Sequence, residues 1–286
     1  MPAALLEGKV IAEKIKDQLK REVEALKAKY GRGPKLVALQ IGENASSAVY
    51  IKAQKKAAES LSIEYELKSL PVTTSQVEAE RLIKTLNEDG AVSGVIVQLP
   101  VPKEIDAKRL VNLIASEKDA EGMHPKNLGS LLLGNYKIGP CTAMAVMELL
   151  ESTKTKLYGK EAVIVGHSEI VGKPLALMLL NKFVTTTVCH IATGERGVLA
   201  EHVKRAEILI VAVGKAGIVK GEWVRDAAIV IDVGINRVGD KIVGDIEFEG
   251  ASQRASYITP VPGGVGPLTT TILMRNVVAL FKAQSN

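Results

Sequence analysis

Residues 161–176, Glu-Ala-Val-Ile-Val-Gly-His-Ser-Glu-Ile-Val-Gly-Lys-Pro-Leu-Ala, carry the first pattern in this chain that could do chemistry. An apolar β-branched run, Ala162 to Val165, stops at Gly166. After a short polar turn the apolar residues return at helical spacing as Ile170, Val171, Pro174, Leu175, Met178 and Leu179. A strand, a glycine turn and a helix can offer backbone N–H groups and a helix N-terminus to a phosphate, since glycine has no Cβ in the way and the helix dipole favours an anion. The spacing is G-x-x-x-x-x-G-x-P and not G-x-G-x-x-G, so a plain strand-to-helix connection fits it equally well. A second group of polar residues comes earlier, where Tyr50, Gln98 and the segment Lys118-Asp119-Ala120-Glu121-Gly122-Met123-His124-Pro125 lie in loops or just past apolar runs. The four histidines and two cysteines show no metal-ligand spacing, and no metal is implied.

Elements that could position these groups follow from periodicity. Residues 8–30 read as an amphipathic helix closed by Gly31, 36–41 as a strand, a helix runs through Tyr50 to about Leu61, and 63–70 is a second strand. A helix capped by Thr74 or Ser75 and a strand at 94–98 complete the first series. Beyond Gly159 a second series begins, with strands at 186–190, 208–213 and 228–233, a helix at 199–205 and a hairpin near 238–243. Residues 260–267 are too rich in glycine and proline for helix or central strand, and a helix is expected over 268–281. Strands alternating with helices predict parallel β-α-β units, whose ligands sit at the carboxyl ends of the strands. The polar groups are thereby expected to line one cleft.

Composition removes several classes of function. With 286 residues, 47% of them hydrophobic, two cores can be buried, and no apolar run approaches the ~20 residues of a membrane span. Only 3% of residues are aromatic and the net charge of +5 is spread out, which argues against nucleic acid. The amino terminus carries no basic region and reaches a glutamate at Glu7, unlike a signal peptide, so the cytoplasm is expected.

Seven stretches now coincide in order: Val-Tyr-Ile-x-x-x-x-Lys-Ala-Ala (49–58), Val-Gln-Leu-Pro-x-Pro (97–102), Lys-Asp-x-x-Gly-x-His-Pro-x-Asn (118–127), Pro-Cys-Thr (140–142), Gly-x-Ser-x-x-Val-Gly-x-Pro (166–174), Asp-Val-Gly-Ile-Asn (232–236) and Pro-Val-Pro-Gly-Gly-Val-Gly-Pro-x-Thr (260–269). Together they resemble the bifunctional methylenetetrahydrofolate dehydrogenase/methenyltetrahydrofolate cyclohydrolase family across the whole chain. The resemblance implies an α/β protein with an N-terminal catalytic domain (1–148, completed by 268–286), a Rossmann-like NAD(P) domain (149–267) and a folate cleft between them. It further implies a homodimer that oxidises 5,10-methylenetetrahydrofolate with NADP or NAD and then hydrates the methenyl product. By the same resemblance Tyr50, Gln54, Gln98 and Glu121 stand at catalytic positions. Substrate would meet Tyr50, Val97, Gln98, Leu99 and the loop Pro262, Gly263, Gly264, Val265 and Gly266. Nucleotide would meet Gly166, His167, Ser168, Gly172, Ile191 and Ile235.

The chain departs from the family where chemistry is concerned. Gln54 stands in place of a lysine one helical turn after the tyrosine, and an amide orients water without taking its proton. Lys55 lies about 100° further round the helix. Glu121 replaces an aspartate that pairs with the pterin. His167 and Ile191 replace an arginine and a serine that contact the 2′-phosphate of NADP, which removes a permanent charge and a donor fork. The expectation is a dehydrogenase with weakened cyclohydrolase activity and open cofactor preference; full bifunctionality and a silent folate-binding paralogue are the alternatives.

Overall fold

The computed structural model describes residues 2–285, with Ala45 and Ser46 described by backbone alone. The chain divides into two compact units, Lys14–Cys141 with Thr270–Asn286, and Met1–Glu13 with Thr142–Thr269.

In the first unit three parallel strands lie in the order Glu64–Leu70, Lys35–Ile41, Gly94–Val97. The central strand carries the apolar run Leu36 to Leu39, fully buried, as a strand covered on both faces requires. Helix Gln76–Glu88 starts in a capping box between Ser75 and Glu78, and its Ala79, Ile83 and Leu86 pack on Val37, Leu39, Val95 and Val97. Helix Ala45–Ser60 connects the central strand to the edge strand Glu64–Leu70, whose residues are exposed or half-buried. The last helix contributes Val277, against Gly94, and Phe281, whose ring meets Tyr30 edge-on at 5.9 Å.

The second unit is a six-stranded parallel sheet in the order Ala4–Leu5, Tyr257–Ile258, Ile229–Asp232, Ile208–Val211, Glu161–Val165, Thr185–Cys189. The next strand in sequence after Glu161–Val165 pairs on one side of it and the following one on the other. The order therefore reverses at this strand, and its carboxyl end is the crevice where such sheets take ligands. Gly166 is the first residue past that end.

Three boundaries differ from expectation. Residues 1–13, expected in the first domain, cluster with the second unit, because Ala4 and Leu5 add a parallel strand beside Tyr257–Ile258. Two residues are too few to show a period in sequence. The final helix is Val265–Ser285 and begins inside the glycine-proline run; Pro267 falls in the first turn, where a missing N–H costs no intrahelical bond. The strand expected over 208–213 ends at Val211, which leaves Ala212 and Val213 in a turn. No helix among the described residues is long and apolar enough to cross a membrane.

Candidate functional site

The glycine turn at the switch point is built by backbone contact. Gly166 has φ +126°, and a Cβ there would lie 2.3 Å from the carbonyl oxygen of Ala212. Gly172 opens helix Gly172–Leu180 so close to Gly166 that a Cβ would lie 2.0 Å from the Gly166 oxygen. Both positions therefore require glycine. Between them, Ser168 Oγ accepts from the amide of Val171 at 3.1 Å, and the amide of Lys173 donates to Ser168 O at 3.0 Å. This turn borders a cavity of about 820 Å³ lined by Gly166, His167, Ser168 and Ile191, among others. The His167 and His190 rings stand 5.5 Å apart, and Ile191 is 76% exposed. Gly172 shapes the turn without lining the cavity, and Ile235 lies outside its lining. Sequence reasoning passed over Lys215 and Trp223, which do line it. The signal for Lys215 was available, since it follows strand Ile208–Val211 at the carboxyl edge of the sheet.

A buried carboxylate holds the next turn. Asp245 Oδ2 accepts from the amides of Val213 and Gly214 at 2.6 and 2.8 Å, and Oδ1 accepts from the Lys215 amide and the Asn236 side chain, each at 2.8 Å. Asp232 accepts from the amides of Gly234, Asp245 and Ile246. Burial pushes its carboxyl up to about 6 against those hydrogen bonds. The Asp-Val-Gly-Ile-Asn motif thus pins the hairpin Asn236–Val238/Lys241–Val243 beneath the turn.

In the first unit, Gln54 sits one helical turn after Tyr50 on helix Ala45–Ser60. Its Oε1 accepts two hydrogen bonds, from Gln98 Nε2 at 2.8 Å and from the Tyr65 hydroxyl at 3.0 Å. Gln98 is 7% exposed and follows strand Gly94–Val97, held there by its amide on Leu39 O at 2.8 Å. Tyr50 is 56% exposed. Lys52, Lys55 and Lys56 point to solvent, and none bonds to Gln54 or Gln98. Burial pushes the Tyr65 phenol up to about 12, so it remains a donor. Val97 puts its side chain into the core, whereas Leu99, ahead of a cis peptide to Pro100, is exposed.

Two residues expected to line the cleft are internal ties instead. Lys118 Nζ donates to Leu86 O at 2.8 Å and Asp89 O at 2.6 Å, closing the end of helix Gln76–Glu88, and burial lowers its pKa. Asp119 Oδ2 accepts from the His124 amide and Asn127 Nδ2, at 2.7 and 2.8 Å. Glu121 is half-buried, with burial first and the Asp119 charge second raising its carboxyl to about 7. Gly122 packs on the Gly139 backbone, and Asn276 Nδ2 donates to Ala120 O at 2.9 Å, so the loop bearing Glu121 is clamped at both ends. The Pro262–Gly266 stretch, in the second unit, is fixed by the Gly8 amide on Gly263 O at 3.0 Å, with the Gly264 amide on Pro260 O at 2.9 Å. Its Val265 and Gly266 belong to the first turn of the last helix and not to a loop.

Residues 6–121 match the tetrahydrofolate dehydrogenase/cyclohydrolase catalytic domain, and residues 140–285 match the NAD(P)-binding domain of the same family. The chain is 47% identical over 279 residues to the bifunctional protein FolD of Moorella thermoacetica, covering 97% of this chain and 98% of that one. The crystal structure of bifunctional FolD from Campylobacter jejuni superposes with a TM-score of 0.95 at 43% identity, over 98% of this chain and 99% of the other. The Trypanosoma brucei enzyme, crystallised with NADP cofactor and an inhibitor, gives 0.95 at 38% identity over 100% and 99%. Matched in both domains, in order and along its full length, the chain belongs to the tetrahydrofolate dehydrogenase/cyclohydrolase family.

Proposed function

We propose that this chain oxidises 5,10-methylenetetrahydrofolate to 5,10-methenyltetrahydrofolate with NADP+ or NAD+, and that the following hydration to 10-formyltetrahydrofolate is strongly reduced. The match of both domains to one enzyme family carries the first part. Gln54, with its amide oxygen already committed to Gln98 and Tyr65, carries the second.

The cavity at the sheet's switch point suits a dinucleotide, because it opens where strand Glu161–Val165 ends at Gly166 and the tight glycine turn leads into helix Gly172–Leu180 beside it. Gly166, Ser168 and the start of helix Gly172–Leu180 would hold the pyrophosphate, with His167 and Ile191 near the ribose. Bound nicotinamide supplies the hydride acceptor. The chain's part is to hold the folate: Tyr50 offers an exposed ring for the pterin, Gln98 a fixed amide at the reacting centre, and Glu121 a carboxylate for the pterin's amino and ring N–H groups.

Hydration asks more of the protein. Water must lose a proton as it adds to the methenyl carbon, and an amide does not accept that proton at neutral pH. Exposed Lys52, Lys55 and Lys56 do not take over, since none is bonded into the group. With arginine and serine replaced at the ribose end, NADP and NAD are both candidate acceptors and the preference between them is open. A homodimer and a cytoplasmic location belong to this proposal, with light scattering and cell fractionation as their checks.

The test is one set of assays on purified protein. Nicotinamide reduction by methylenetetrahydrofolate is followed with NADP+ and with NAD+, and decay of methenyl absorbance is followed separately. Absence of reduction with either nucleotide overturns the dehydrogenase assignment. Methenyl decay much faster than the uncatalysed rate overturns the loss of hydration.

A further inference from the structure

Tyr65 lies on an edge strand, eleven residues past Gln54 and outside every motif discussed above, yet its hydroxyl reaches into the polar group. An amide oxygen has two lone pairs. In Gln54 both are taken, by Tyr65 Oη and Gln98 Nε2. Both acceptor sites being filled, the orientation of the amide is fixed. Among the described residues the Gln54 nitrogen has no partner, so its two hydrogens are what the side chain offers outward. With Gln98 as the only donor, the amide would be free to turn about its last side-chain bond, a broad and roughly two-fold torsion. The second donor removes that freedom.

We infer that Tyr65 is a positioning residue, which locks Gln54 as a hydrogen-bond donor toward an acceptor atom of the bound folate. The inference rests on the dehydrogenase reading given above. Tyr65 touches no substrate itself; it acts through Gln54. Its hydroxyl stays protonated at every pH at which the protein would be assayed, so the lock is not a pH switch. Glu64 and Glu66, its neighbours on the strand, are held by Lys35 at 2.8 and 2.9 Å. As the residues either side of Tyr65 on a strand, they point to the opposite face and do not compete for its phenol.

The experiment is a double-mutant cycle on dehydrogenase kcat/KM for methylenetetrahydrofolate, with Tyr65→Phe, Gln54→Met and the pair. Tyr65→Phe deletes one oxygen and keeps the ring. It is expected to lower kcat/KM about fivefold, the scale of one neutral hydrogen bond, and to have no effect once position 54 is methionine. Tyr65→His keeps a ring donor and is expected to recover part of the loss. Melting curves report whether each variant is folded, and if Tyr65→Phe does not fold, the cycle is run with Tyr65→His. An equal loss in both backgrounds makes Tyr65 merely structural and overturns the inference, as does no loss in either. Absence of dehydrogenase activity in the unaltered protein overturns the proposed function instead, so the two failures are distinguishable.

Discussion

The glycine turn and the Gln54 group fix their atoms by opposite means. At the turn, backbone meets backbone: Gly166 against Ala212, Gly172 against Gly166, and the amides of residues 213–215 against one carboxylate. At Gln54, side chain meets side chain, and three residues, from a helix, a strand and the residue just past another strand, share one oxygen. Backbone packing tolerates no added atom but is indifferent to most neighbouring side chains. Side-chain networks tolerate substitution sterically and change their chemistry when it happens. By the family resemblance the departures fall accordingly: the turn glycines Gly166 and Gly172 are intact, and His167, Ile191, Gln54 and Glu121 are among the replaced residues.

The sharpest way to break this contrast is to add a side chain at the turn. Gly166→Val combines a β-branched residue at φ +126° with a Cβ 2.3 Å from a carbonyl oxygen. Backbone has to move, and the cost is expected to be about 3 kcal/mol or more. Nucleotide titration should show affinity reduced more than 100-fold on the same estimate, and thermal unfolding should show a lower midpoint. Near-normal binding would mean that the turn is not the nucleotide's dock.

Gln54→Lys tests the other half. The ammonium loses a proton more easily than any amide gains one, and a positioned base contributes about 10²-fold or more to a rate. Methenyl hydrolysis should rise on that scale. Tyr65 is expected to hold the gain back, because its oxygen accepts from an ammonium and favours the charged form. Gln54→Lys combined with Tyr65→Phe should therefore hydrolyse faster than Gln54→Lys alone. No gain in either variant would show that some other feature limits hydration.

A smaller effect is expected at the ribose end. His167→Arg with Ile191→Ser returns a permanent charge and a hydroxyl to the cavity wall, and the NADP-to-NAD ratio of kcat/KM should rise about tenfold, the scale of one charge-assisted hydrogen bond. A ratio that stays put would place the 2′-phosphate elsewhere.

The same contrast explains which features are legible in the sequence. Glycine turns are legible, because the constraint acts on residues close in sequence and only one residue type meets it. The two-unit α/β order was legible from the alternation of apolar runs, as in strand Lys35–Ile41 followed by helix Ala45–Ser60. Tyr65 was not, since nothing along strand Glu64–Leu70 says that one hydroxyl crosses to a helix. Lys118 and Asp119 looked like ligands because charged residues in loops usually face solvent. Their burial depends on Leu86, Asp89 and Asn127, which only the fold brings near. Ala4–Leu5 was hidden for a plainer reason, as two residues carry no period.

Glu121 gives the smallest effect and one whose sign is fixed in advance. Its carboxyl is raised from 4.5 to about 7 in the folded protein, by burial first and by Asp119 second. A folded value above the unfolded one means that the proton stabilises the fold: the contribution is complete below about 4.5 and is lost as pH rises through about 7. Glu121→Gln mimics the protonated form. It should therefore melt a few degrees above the unaltered protein at pH 8, and the gap should close as pH falls toward 5. Folate binding should move the opposite way. The ionised carboxylate is the better acceptor for the pterin's N–H groups, so KM for methylenetetrahydrofolate should rise as pH drops below about 7 in the unaltered protein. In Glu121→Gln that pH dependence should vanish. A KM that falls with acidification, or one that keeps its slope in the variant, would remove Glu121 from the folate site while leaving its effect on stability intact.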